Sequence, residues 1–270
     1  MEWKRRDLKE RAKESVKRNY WWFVLASFIL LVAGGGGSSF NFNFNQGQNQ
    51  ENTYDSVSQY GSNLDVMKEQ LFSNPMLKLI IGVSLVVVLA IVVAAILFSV
   101  FVAGPVVVGM YRFIIHAKEG RRDLNDIIYA FTCGHYLNIV KIMFFKSLKT
   151  FLWMLLLVVP GVVKSYEYRM IPYILSENPE MDMERVFSLT KEMTDGDKWN
   201  MWVLDLSFIG WAFLAAITFN IVGIFWVYPY MYATFAELYL VLREKTFNNG
   251  LVSGGELTEY ARMAYTESNL

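Results

Sequence analysis

Between Leu79 and Tyr111 the chain carries no Lys, Arg, Asp, Glu or His. A helix needs about 20 apolar residues to cross the hydrocarbon of a bilayer, so this run predicts a span over 77–103 with length to spare. From Trp199 to Leu242 only Asp205 and Glu237 interrupt the apolar pattern, and Asn220 with Gly223 offers a turn, which predicts helices over 200–219 and 222–242. Asn138 to Val163 is apolar except for Lys141, Lys146 and Lys149 near its start, where lysines can snorkel to the interface; this predicts a span over 138–160. The stretch from Tyr20 to Ala33 is the shortest and needs its flanks to cross, giving 20–36.

The residues after 160 have two readings. Pro160-Gly161 can end or kink the third helix, and 161–177 carries Lys164, Glu167 and Arg169 with Pro172 near its far end. Read as a short or kinked fourth span, it gives six crossings with both chain ends inside. Read as an extension of the third helix, it gives five and an external tail. Six is the favoured count, so the expected fold is all-α: a polytopic membrane domain over 20–242 with an N-terminal amphipathic interfacial helix.

That lead-in, 1–19, is rich in Lys and Arg and places Leu8, Ala12 and Val16 on one side, as a helix lying on the inner leaflet does. A basic leader, a short apolar run and then Ala33, Gly34 and Gly35 also fit a cleaved signal peptide, but Tyr20, Trp21 and Trp22 are interfacial anchors that favour a retained helix. Loop charges orient the chain. Between Gly34 and Pro75 the only cation is Lys68, whereas the N-terminus and Arg112 to Lys149 are cation-rich, as cytoplasmic segments are. This predicts an extracytoplasmic Asn- and Gly-rich loop over 37–76, too low in complexity to build a core, with the acidic segment 178–199 and the tail 243–270 in the cytosol.

Composition removes other classes. Lys plus Arg and Asp plus Glu number 25 each, so there is no basic footprint for nucleic acid. Cys133 is the one cysteine, which excludes an intrachain disulfide and a cysteine metal cluster, and His116 and His135 have no ligand spacing. No phosphate-binding, dinucleotide, zinc-protease or serine-hydrolase signature occurs, and Cys133 and His135 are too close on a helix to face each other as nucleophile and base. Glu192, Asp195 and Asp197 around Gly196 lack the alternation of a calcium loop and read as a helix-end turn. We therefore expect no catalytic residue, metal or cofactor.

Ionisable groups inside a membrane cost a few kcal/mol each, so Lys164, Glu167, Arg169, Asp205 and Glu237 are the candidate polar residues. Asp205 and Glu237 lie at matching depths on antiparallel spans, and Arg169 falls near them, so Arg169 can pair with either. Lys164 and Glu167 can pair along their own helix. Such groups form a polar pathway or a set of pairs that fixes the bundle, and pairing is the more common use. Pro160, Gly161, Pro172 and Pro229 are the candidate kinks; Pro172 and Pro229 would free the carbonyls of Tyr168 and Phe225 one turn back.

The succession PGVVKSYEYRMIPYILSENP, SLTKEMTDGDKW, LDLSFIGW with Thr218, and FWVYPYMYATFAELY, opened by LKERAKESVKRNYWW, resembles the bacterial multi-spanning membrane family known as domain of unknown function 975. It is more distantly similar to other polytopic families with a Pro-Gly helix followed by an acidic loop, including the membrane domain of some glycerophosphodiesterases. The resemblance covers nearly the whole chain outside the Asn-rich loop. It implies a cell-membrane location, typically in Gram-positive bacteria, and no established activity; it assigns no role to Glu167 or Arg169.

Two functions follow as expectations. The first is a non-enzymatic membrane scaffold, accessory or regulatory module with a membrane-protein partner, its basic lead-in touching anionic lipid. The second is a transporter or permease whose pathway uses Asp205, Glu237 and Arg169.

Overall fold

The computed structural model describes residues 3–33, 75–118, 123–218, 220–252 and 256–257, and among these the only regular structure is helix. The expected outer loop over 37–76, apart from its last two positions, and most of the tail lie outside the described residues. The chain divides into two compact units, Asn41–Phe98 and the remainder, Met1–Phe40 with Ser99–Leu270.

In the smaller unit the described part is one helix; numbering helices in chain order, it is α3 (Pro75–Phe98). Its 24 residues rise about 36 Å. Leu79, Leu85, Val86, Val88, Leu89 and Ile96 are all exposed, on every side of the helix.

In the larger unit, α1 (Arg5–Arg18) and α2 (Tyr20–Val32) part at Asn19, where φ is −132° and ψ 36°. The Asn19 Nδ2 donates to the Ala117 carbonyl at 3.0 Å, pinning the corner. After a π-helical turn, Ser99–Ala103, come α4 (Gly104–Lys118) and α5 (Asn125–Thr132). The Phe101 carbonyl in that π turn accepts from the Tyr136 hydroxyl at 2.6 Å. Helix α6 is Tyr136–Leu156 and α7 is Val158–Glu167. Helices α8 (Ile171–Glu177), α9 (Met183–Met193), α10 (Lys198–Leu206) and α11 (Ile209–Ile217) follow. A second π turn, Gly223–Val227, leads into α12 (Tyr228–Asn248).

The core gathers around α12, which packs against α1, α2, α4 and α9. Ala236, Leu238, Tyr239 and Leu242 are fully buried there. Helix α1 turns Leu8 and Ala12 onto α12, so the stripe expected to lie on the leaflet is covered by protein, while Arg6, Lys13 and Lys17 on its other side remain exposed.

Several sequence boundaries need correction. The break after α6 is at Leu157, which is extended (φ −156°, ψ 135°), and not at Pro160-Gly161. Pro160 instead lies in the first turn of α7, where a missing N–H is harmless. The chain doubles back there: a Cβ on Gly161 would lie 2.7 Å from Met154 Cα, so glycine is what lets α7 return against α6. The segment 161–177 is broken by a 3-10 turn at Tyr168–Met170. Pro172 starts α8 after that turn, and the Tyr168 carbonyl is not freed, because the Ile171 amide donates to it. The span 200–219 bends at Ser207 and Phe208, between α10 and α11. Pro229 lies in the first turn of α12, and the Phe225 carbonyl one turn back accepts from the Tyr20 hydroxyl at 2.9 Å. Helix α12 runs past Leu242 to Asn248, so the tail does not begin at 243.

By length and composition, the helices among the described residues that suffice to cross a membrane are Lys78–Lys118 and Lys198–Ile217; Tyr20–Val32 is apolar but shorter.

Candidate functional site

The C-terminal end of α7 and its 3-10 turn carry charge on two faces, because Glu167 lies between Tyr166 and Arg169 in sequence. Arg169 and Tyr166, three residues apart, reach the same carboxylate: Arg169 Nη1 and Nη2 hold Asp205 at 3.1 Å and the Tyr166 hydroxyl donates to Asp205 Oδ2 at 2.8 Å. Both Arg169 and Asp205 are buried, and the guanidinium stacks 4.0 Å over the Phe235 ring. Glu167 faces a different pair of cations. Its Oε1 takes Lys164 Nζ at 2.7 Å and its Oε2 takes Lys198 Nζ at 2.8 Å.

Lys198 and Asp205 sit at the two ends of α10, two turns apart on one face. Together they fasten α10 to α7 by two ion pairs of opposite sense. A register slip would set like charges against each other, the arrangement through which buried ions specify a unique packing.

Glu237 belongs elsewhere. Its Oε1 pairs with Lys118 Nζ at 2.5 Å and its Oε2 lies 3.9 Å from Arg11 Nε. Lys118 also donates to the Ala233 carbonyl one turn earlier on α12, at 3.2 Å. Of the sequence candidates, Arg169 and Asp205 meet, Lys164 and Glu167 meet, and Glu237 joins neither group. The Lys164–Glu167 pair gains Lys198, which local spacing could not supply.

Sequence reasoning missed other clusters. Asp126 receives Arg112 Nε at 3.1 Å and stands 2.7 Å from His116 Nδ1, closing α5 onto α4. Burial works against its ionised form, but the hydrogen bonds and charges of His116 and Arg112 outweigh that and hold its pKa below the usual 3.8. The same seam excludes a side chain at Gly109, whose Cβ would overlap the Ile127 carbonyl. At the turn before α10, Asp197 takes Trp3 Nε1 at 2.9 Å and Lys245 Nζ at 2.6 Å. Gly196 beside it has φ +78°, the left-handed conformation of a helix-end turn. Arg185 meets Glu256 at 2.7 Å, which raises the arginine's pKa.

The three lysines of α6 do not behave alike. Lys141 is exposed, and Lys149 Nζ lies 3.8 Å over the Phe187 ring. Lys146 lines a cavity of about 440 Å³ with Arg169. Its only signal in the sequence was a cation deep in an apolar run. A second cleft, of about 840 Å³, lies between the start of α1 and the Gly196 turn. Among the described residues no three His, Cys, Asp or Glu side chains gather as a metal would require.

The family model described as protein of unknown function (DUF975) matches residues 1–246. No curated protein matches the chain, and no solved structure matches it.

Proposed function

The chain belongs to the DUF975 family, whose description assigns no activity, and from that premise we propose a polytopic membrane protein that serves as a non-enzymatic module, assembling with or regulating other membrane proteins. The observation that carries this reading is the local closure of the bundle's charges. Asp205 is held by Arg169 and Tyr166, Glu167 by Lys164 and Lys198, and Glu237 by Lys118 and Arg11. A proton or solute pathway needs exchangeable groups linked in sequence. Three carboxylates each saturated by its own cations serve packing better than relay. The segments that carry the family resemblance, KSYEYR, TDGDKW and LDL, supply most of this clamp.

In this reading the chain crosses a bacterial cell membrane six times with both ends in the cytosol. The exposed cations of α1 face anionic lipid, and α9 with the Gly196 turn offers the cytosolic surface for a partner. Two measurements test it. In a Cys133→Ser background, Asp55→Cys should react with an impermeant maleimide in intact cells, and Glu184→Cys and Tyr260→Cys only after permeabilisation; labelling of Tyr260→Cys in intact cells overturns the six-span topology. In proteoliposomes the wild type should pass no more protons than empty vesicles. A flux that Asp205→Asn or Glu237→Gln abolishes, with protein still in the membrane, would establish the transporter instead.

A further inference from the structure

The cavity beside Arg169 holds a charge that the clamp does not neutralise. Its walls are the π turn Ser99–Ala103 with the start of α4, the middle of α6, and α7 with Pro172. Arg169 is already balanced by Asp205. Lys146 is not balanced: among the described residues no carboxylate lies within ion-pair distance of its Nζ and no acceptor takes its protons.

Five hydroxyls line these walls, those of Ser99, Tyr111, Ser147, Thr150 and Ser165, and three of them are donated within their own helices. The Ser147 hydroxyl donates to the Met143 carbonyl at 3.1 Å, Thr150 to Lys146 at 2.8 Å and Ser165 to Val162 at 2.7 Å, each within its own helix. The N–H groups left to the cavity belong to Lys146 and to the unspent positions of Arg169, which has five donors and offers Asp205 only Nη1 and Nη2. Around them the walls are apolar, with Val100, Val107, Phe144, Phe151 and Met154. An ammonium partly buried among such groups without a counter-ion is costly, and an anion that brings its own apolar part removes the cost. The volume falls within the range of small-ligand sites, about 300 to 1,000 Å³. π-Helical turns such as Ser99–Ala103 also occur frequently at functional sites.

We propose that this cavity binds a phosphate group attached to a hydrocarbon tail, an anionic phospholipid, with Lys146 as the primary contact and Arg169 as its neighbour. The phosphate oxygens accept charge-assisted hydrogen bonds from the ammonium, and the tail lies along Phe144, Phe151 and Met154. The site adds a ligand to the membrane module proposed above and rests on its membrane location, but not on its topology or partners.

The test uses the full chain purified in a neutral detergent, with lipid retention counted by native mass spectrometry. The wild type should retain phosphatidylglycerol over phosphatidylcholine of the same acyl chains by about tenfold, the factor a single charge-assisted contact supplies. Lys146→Gln should remove that preference and Lys146→Arg should keep it, so loss from misfolding is separated from loss of charge. Lys149→Gln, whose ammonium sits over Phe187, should leave the preference unchanged. Displacement of phosphatidylglycerol by millimolar inorganic phosphate would support the phosphate site but assign it to a soluble anion. Equal retention of the two lipids by the wild type, or a preference that survives Lys146→Gln, would overturn it. Because retention is read in detergent, such a failure leaves the assembly reading standing, and a failed topology leaves the retention result intact.

Discussion

Helices α3 and α12 are of similar length but opposite character. Over Pro75–Phe98 the only charge is Lys78, near the start, and apolar side chains are exposed all around. Over Tyr228–Asn248 there are Glu237, Arg243, Glu244 and Lys245, yet α12 holds the centre of its unit. In a water-soluble protein the more apolar helix would be the buried one. In the membrane location proposed above, hydrophobicity would record the solvent a helix meets, whereas burial within the protein follows from polar partners and close packing. An apolar surface as large as that of α3 marks an interaction site, and in the proposed function the bilayer is what it meets.

The contrast breaks most sharply at the clamp. Arg169→Met strands Asp205 and should cost about 3 to 5 kcal/mol in a reversible unfolding measurement in detergent; Arg169→Met with Asp205→Leu should recover most of the loss. Full additivity of the two losses would mean that the pair is not coupled. On α3 the expected effect lies in insertion: Val88→Arg should raise the cost of membrane insertion by about 2.5 to 3.5 kcal/mol, read as the inserted fraction in a translocation assay, while leaving the unfolding of the larger unit unchanged. Gly109→Ala pushes a methyl into the Ile127 carbonyl and should destabilise by about 1 to 3 kcal/mol, visible as a lower Tm.

Tyr20→Phe removes the donor to the Phe225 carbonyl and should cost about 1 kcal/mol; restoration by Pro229→Ala, which returns an amide to α12, would sharpen the assignment. The smallest effect belongs to Asp126. Its folded pKa is lowered, so the stability it contributes is complete above the ordinary value of 3.8 and is lost as pH falls through the folded value. Asp126→Asn should therefore flatten the wild-type decline in Tm below about pH 4. An unchanged slope would show that the contacts from His116 and Arg112 do not depend on the charge.

What could be read from the residues depended on distance along the chain. The Lys164–Glu167 pair was legible because a helix brings positions three apart together, and Arg169 had Asp205 as one of two possible partners because matched depth constrains antiparallel helices. The choice between Asp205 and Glu237 was not legible. It depended on Lys118 at the end of α4 and Arg11 in the middle of α1 both reaching Glu237. Pro160 was misread for a related reason: proline signals a kink only inside a helix, and the reversal at Leu157 had already placed it in a first turn.

By itself the sequence determined the apolar runs, their helical state, the family, and the charges that would have to be accommodated, because all of these follow from composition and local periodicity. The tertiary structure alone decided that the α1 stripe faces protein, that three carboxylates are closed separately, and that Lys146 turns into a cavity while Lys141 and Lys149 do not. Those outcomes depend on which helix faces meet, and that is set by close packing at Gly109 and Gly161 and by ion pairs between distant segments, quantities that no local pattern encodes.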